Sequence, residues 1–293
     1  MGQRASIPAT GGAGKQLTQP MQEASHPDWS SKGDLVALQS YAGGTFHIWT
    51  MKPDGTGLKQ VTTGHGDDRE PRLSPDGTMI AFSSDRAFKG SYDVWTVKVD
   101  GTDLKQVTSS PADEYEPNWS HDGKKLVFVS GVGIQAKMIE AVDLASGQRS
   151  TVTTVDPMKA RVAVPSFSPD DSSIAYVQFD GGGMFLNKSH LVVASTSSAG
   201  KPTYTGKSDD AFPFPATWLS NSELIYTGGG KILKTSLSAG TETPISFTAA
   251  IPSARPQYAH KRYDFVLHDF NLGDGKKNGQ HVLEDLMTAM TVR

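Results

Sequence analysis

Apolar positions along this chain fall in short, evenly recurring runs rather than at helical spacing. Leu35-Val36-Ala37-Leu38, Ile80-Ala81-Phe82, Leu126-Val127-Phe128, Ile174-Ala175-Tyr176 and Leu224-Ile225-Tyr226 are the main ones. Runs this short, bounded by turn residues and rich in β-branched and aromatic side chains, predict buried strands. Each follows one motif: Pro27-Asp28-Trp29-Ser30, Pro71-Arg72-Leu73-Ser74-Pro75-Asp76-Gly77, Pro117-Asn118-Trp119-Ser120-His121-Asp122-Gly123, Pro165-Ser166-Phe167-Ser168-Pro169-Asp170 and Pro215-Ala216-Thr217-Trp218. The anchor prolines stand 44, 46, 48 and 50 residues apart, close to the ~40–45-residue period of a four-stranded propeller blade. Proline suits the first residue of a strand, where no ladder donor is needed. The aromatic residue two positions on is expected to fill the space between sheets, and Pro-Asp-Gly to make a tight turn. Phe46–Thr50 and Tyr92–Thr96 read as third strands, and Lys59–Thr62 and Lys105–Thr108 as outer strands.

Both ends carry partial repeats. Ile7–Gly12 with Lys15–Thr18 reads as the second half of a blade, and Pro256–Lys261 with Tyr263–Leu267 as a first half. Pairing the two would close the ring and remove exposed edges. The expected fold is therefore all-β: a six-bladed β-propeller of four-stranded blades over residues 1–270, closed by its terminal half-blades. Residues 271–293 read as a linker, Asn271–Gly279, and a short amphipathic helix, Val282–Met290.

The repeats resemble those of the TolB-like β-propellers; the pattern Pro-x-Trp-Ser-Pro-Asp-Gly-x-x-Ile-Ala-Phe-x-Ser-Asp-Arg is matched almost fully at Pro71–Arg86. A narrower set is similar to the N-terminal propeller of bacterial amidohydrolases that carry such repeats. It comprises Phe46–Trp49, Asp67–Pro71, Asp210–Phe214, Glu223–Tyr226 with Gly230–Ile232, and Arg255–Tyr258 with Tyr263–Phe265. This resemblance implies an exported, periplasmic protein whose metal-binding histidines lie in a barrel beyond the propeller. The chain then reads as a fragment or free-standing relative of such a hydrolase. Its first residues, Met1–Ser6, have no apolar core of a signal peptide, so as given it reads as cytoplasmic.

Composition narrows the chemistry. The net charge of −3 brings no basic stripe for nucleic acid, and no apolar run is long enough to span a membrane. Cysteine is absent, so thiol catalysis and Cys-ligated zinc are excluded. No Gly-x-Ser-x-Gly elbow, His-x-His pair or His-Glu-x-x-His motif occurs. Loops at one face should gather Asp67, Asp68, Arg69 and Glu70, then Asp85, Arg86 and Tyr92, then Asp113, Glu114, Tyr115 and Glu116. This face is expected to bind a protein, peptide or small-molecule ligand at the channel mouth of a monomer. Oxygen ligands from Asp67, Glu70, Asp113 and Glu116 would suit Ca²⁺ or another divalent cation, and with it a lactonase- or esterase-type hydrolase is the alternative. A structural reading competes: Glu70 and Glu116, each before a proline, would satisfy backbone and Arg groups of neighbouring blades. His65, flanked by acids, is the candidate general base, through Asp67 or Asp68.

Overall fold

A computed structural model of the chain describes side chains at residues 17–18, 23–131, 137–181, 188–197 and 201–245. Strand backbone is described in addition at 3–8, 12–13, 15–16, 132, 135–136, 249–250, 263–268 and 285–288. The N-terminal strands are β1 (Gln3–Pro8), β2 (Gly12–Ala13) and β3 (Lys15–Gln16). Blade 1 is β4 (Ala24–Trp29), β5 (Val36–Ser40), β6 (His47–Met51) and β7 (Lys59–Gln60). Blade 2 is β8 (Asp68–Leu73), β9 (Met79–Phe88), β10 (Ser91–Lys98) and β11 (Lys105–Gln106). Blade 3 is β12 (Asp113–Trp119), β13 (Lys125–Val132), β14 (Gln135–Asp143) and β15 (Arg149–Thr154). Blade 4 is β16 (Ala160–Phe167), β17 (Ser173–Asp180), β18 (Lys188–Ser195) and β19 (Pro202–Thr205). Blade 5 is β20 (Thr217–Ser220), β21 (Glu223–Gly228), β22 (Lys231–Ser236) and β23 (Thr241–Ile245). Each is a four-stranded antiparallel meander.

Among the described residues the propeller has five such blades, and the expectation of six is corrected. After β24 (Ala249–Ala250) come β25 (Tyr263–His268) and β26 (Asp285–Thr288). These last two share a mixed sheet with the N-terminus, in the order β26-β25-β1-β3. In it β1 runs parallel to β25, from Gln3 beside Tyr263 to Pro8 beside His268. A four-stranded meander needs every neighbouring pair antiparallel, and the parallel β1–β25 pair breaks that alternation. Residues Asp285–Thr288 are strand, where apolar spacing predicts helix, because they pair with Tyr263–Val266. The linker Asn271–Gly279 lies outside the described residues, as does Pro256–Lys261.

The second strand of each blade is buried on both faces, which is why its sequence is continuously apolar. Ile80 and Phe82 pack with Ala37, Ile48 and Leu73, toward blade 1. Ala81 between them packs with Trp119, Leu126 and Phe128, toward blade 3. The same alternation places Val127 and Val129 against Phe167 and Tyr176, and Ala175 and Val177 against Trp218. The core is thus a series of layers between blades.

The motif proline does not start its strand. Pro27, Pro71, Pro117 and Pro165 lie inside inner strands, each where the register to the second strand shifts. The preceding residues, His26, Glu70, Glu116 and Val164, have φ between 50° and 56°. A bulge frees the proline from donating to the ladder, so it is tolerated in mid-strand. The turn beyond is as predicted: Gly77, at φ 75°, donates its N–H to Ser74 O at 2.8 Å. Asp76 closes the turn by accepting from the Ser74 hydroxyl (2.6 Å) and the Thr78 amide (3.0 Å).

Trp119 shows how adjacent blades are joined. Its ring lies between blades 2 and 3, and its Nε1–H donates to Arg72 O at 2.9 Å. Trp119→Ala is expected to cost ~3–5 kcal/mol, the range of large aromatic truncations in cores. Chemical denaturation measures this, and a loss near zero would contradict the packing described.

Candidate functional site

The geometry of the inner-strand bulges builds a relay from blade to blade. A left-handed residue turns its amide away from its own sheet, so the N–H needs an acceptor elsewhere. Glu70 N–H donates to Gln39 Oε1 of blade 1 at 2.7 Å. Glu116 N–H donates to Glu70 Oε2 at 2.8 Å, and Ser83 Oγ donates to the same oxygen at 2.8 Å. Val164 N–H donates to Glu116 Oε2 at 2.5 Å. Gln39, Glu70 and Glu116 therefore bind the bulge amide of the following blade in turn. Burial raises the Glu116 carboxyl from 4.5 to about 8, and the nearby Glu70 adds to the rise; the Val164 amide and Arg72 oppose it.

Above the relay, Asp67 is a hub. Its Oδ2 accepts from Arg69 Nε (2.9 Å), a terminal Arg69 nitrogen (2.7 Å) and the Tyr92 hydroxyl (2.7 Å). Its Oδ1 accepts from Phe46 N–H at 3.2 Å, and its own N–H donates to Asp85 Oδ1 at 2.8 Å. Burial favours the neutral acid, but the Arg69 and Tyr92 bonds outweigh it and hold Asp67 below the usual carboxylate range. The Arg69 guanidinium lies 4.7 Å from the Phe46 ring and 5.9 Å from that of Tyr92. Tyr92 and Tyr115 stand 5.5 Å apart, and Asp113 accepts from the Tyr92 amide at 3.2 Å. Burial and neighbouring aspartates push both tyrosine hydroxyls up.

Asp68 and Glu114 are fully buried between blades. Both Asp68 oxygens bind Arg86, at 2.7 and 2.6 Å, and Ser84 Oγ donates to Oδ1 at 2.6 Å. Glu114 Oε1 is held by Arg149 (2.5 Å) and Ser110 Oγ (3.0 Å), while Glu140 shares Arg149 at 2.6 Å. Gln39, Ser83 and Arg149, which bind Glu70 and Glu114, are not among the residues that the sequence singles out. The Ser-Ser-Asp-Arg stretch of the repeat carries a signal for Ser83; Arg149, on an outer strand, carries none. His65 is exposed, and the histidine that meets Asp68 is His47, with Nδ1 3.3 Å from Oδ2. Asp67, Glu70, Asp113 and Glu116, the expected cation set, are turned to amides, hydroxyls and guanidinium groups. Among the described residues no three His, Asp or Glu side chains form a group able to hold a metal ion. No helix among them is long and apolar enough to cross a membrane.

The repeat geometry agrees with a family model. Residues 9–188 match the TolB beta propeller domain. The chain belongs to this family. A TolB homolog of Chlorobium luteolum is 42% identical over 60 residues, 20% of this chain and 14% of that protein. The chain thus matches only a small part of the length of its curated TolB relatives. A putative TolB from Agrobacterium tumefaciens shares the fold at TM-score 0.59 and 18% identity, over 79% of this chain and 83% of that one. TolB from Acinetobacter baumannii gives TM-score 0.59 and 16% identity, over 78% and 55%.

The raised Glu116 carboxyl sets a pH dependence for this TolB-family propeller. The folded state holds that proton more tightly than the unfolded chain, so its stability should fall as pH rises from about 4.5 to about 8. Glu116→Gln keeps an oxygen for the Val164 amide without the charge, and should flatten that part of the curve. Thermal melts across the range test this, and equal slopes for both proteins would contradict it.

Proposed function

We propose that the propeller is a binding module whose rim on blades 2 and 3 takes a basic segment of a protein partner. The observation that carries this reading is the direct link between two acidic residues, Glu70 and Glu116, on adjacent inner strands. The Glu116 amide donates to Glu70 Oε2, and burial together with the nearby Glu70 raises the Glu116 carboxyl above its ordinary value. A cationic side chain placed there would oppose that rise. The Tyr92 and Tyr115 rings beside it offer π faces that attract ammonium and guanidinium groups. Tyr41, on the β5–β6 connection, and Phe88, at the end of β9, are exposed and offer apolar contacts.

The names of curated relatives, Tol-Pal system proteins, support a role in protein contacts. Periplasmic residence in a bacterium belongs to the same reading. So does the likeness to propellers that precede an amidohydrolase barrel, where the module would present a partner or substrate to a separate catalytic domain.

Calorimetric titration with a lysine- and arginine-rich peptide and with its glutamate-substituted counterpart tests the proposal. The basic peptide should bind, more weakly as salt rises. Asp113→Asn combined with Glu116→Gln should weaken it by about tenfold, or about 1.4 kcal/mol. Equal affinity for the acidic peptide, or an unchanged affinity in the double variant, would overturn the assignment.

A further inference from the structure

His47 lies at the centre of an array that peptide binding does not use. Its Nδ1 is 3.3 Å from Asp68 Oδ2, an oxygen that also receives Arg86 and so acts as an acceptor. The hydrogen must then sit on Nδ1, which leaves the lone pair on Nε2. That nitrogen is 3.1 Å from Thr45 Oγ1, so the threonine hydroxyl donates to it. Hydroxyl, imidazole and carboxylate thus stand in the order that nucleophilic acyl transfer requires.

The surroundings suit this order. Asp68 is fixed from its far side by Ser84 and Arg86, which sets the orientation of the imidazole. Imidazole and carboxylate are buried, whereas Thr45 is half-buried at the rim. The loop before it holds Gly43 and Gly44 at φ 121° and 96°, and a Cβ built on either would meet no atom within 4 Å. The chain leading to Thr45 is therefore unobstructed at Gly43 and Gly44.

We propose that Thr45 is an acyl-accepting nucleophile for activated carboxylic esters, with His47 as its general base and Asp68 as a positioning residue. Thr45 Oγ1 bonds to the acyl carbon while its proton passes to His47 Nε2. The bond from acyl carbon to leaving oxygen breaks, and the departing alkoxide or phenoxide takes the proton from Nε2. Water then attacks the acyl-threonine and gives a proton to Nε2. The acid is released as that proton returns to Oγ1, with no net oxidation or reduction. Arg86 sets the substrate class: its guanidinium already balances Asp68, so the carboxylate stabilises an imidazolium less than an unpaired one would. Leaving groups as good as aryl oxides fall within reach, and amides do not.

The test uses the full chain with p-nitrophenyl acetate, following p-nitrophenolate release and mapping acetylated peptides by mass spectrometry. Acetyl should be found on Thr45. Thr45→Ala should lower the rate about a hundredfold, the low end of what a positioned base contributes, whereas Thr45→Ser should retain it. Thr45 is at the rim, so a circular dichroism spectrum matching the wild type separates loss of chemistry from loss of fold. His47→Gln should also lose the activity; if it fails to fold, the two Thr45 variants decide. A wild-type rate in Thr45→Ala, or acetyl confined to lysines, would overturn the proposal, and neither result bears on binding of a basic peptide.

Discussion

The left-handed residue before each inner-strand proline is the constraint on which this channel depends. A β-branched or long side chain in that region costs of order 1–3 kcal/mol and persists only where its surroundings over-determine it. Val164, at φ 50°, is the clearest case. What holds it is its amide, bound by the carboxylate of Glu116 from the preceding blade. Glu116 is held in the same way by Glu70, and Glu70 by Gln39. Each blade thus fixes the bulge of the next. The relay brings Glu70 and Glu116 into direct contact through the Glu116 amide.

The proposed function draws on the same feature. The groups nearest the channel are committed to amides and cannot be rearranged without releasing a strained residue. In the proposed function they would attract a basic side chain without moving, which suits recognition on a rigid scaffold. Asp67 extends this outward by fixing Arg69 and Tyr92 in place. The likeness to solved TolB structures, at 16% and 18% identity, concerns the fold. The rim residues carry the functional reading for this chain.

Much of the fold is legible in the sequence because two local signals coincide. Apolar runs such as Ile80-Ala81-Phe82 mark strands buried on both faces, and Ser-Pro-Asp-Gly marks the hairpin after the inner strand. The ends are less legible. Tyr263–Leu267 has strand composition, but composition does not set direction, and the segment runs parallel to Gln3–Pro8. Val282–Met290 has helical spacing, yet four of its residues pair as a strand with β25. At the site, loop position groups the acidic residues in sequence, but partners such as Gln39 and Arg149 are not local. The partners are set by register between distant strands. His47 rather than His65 meets Asp68 because β6 of blade 1 packs beside β8 of blade 2, a relation that local sequence does not express.

Amide hydrogen exchange, read residue by residue by NMR, tests the relay most directly. If blade-to-blade bonds fix the bulges, the amides of Glu70, Glu116 and Val164 should exchange as slowly as ladder amides of the inner strands. Replacing Glu116 by Ala should then release protection at Val164 and leave Glu70 protected. Fast exchange of all three in the unaltered protein, or unchanged protection of Val164 in the variant, would contradict the account.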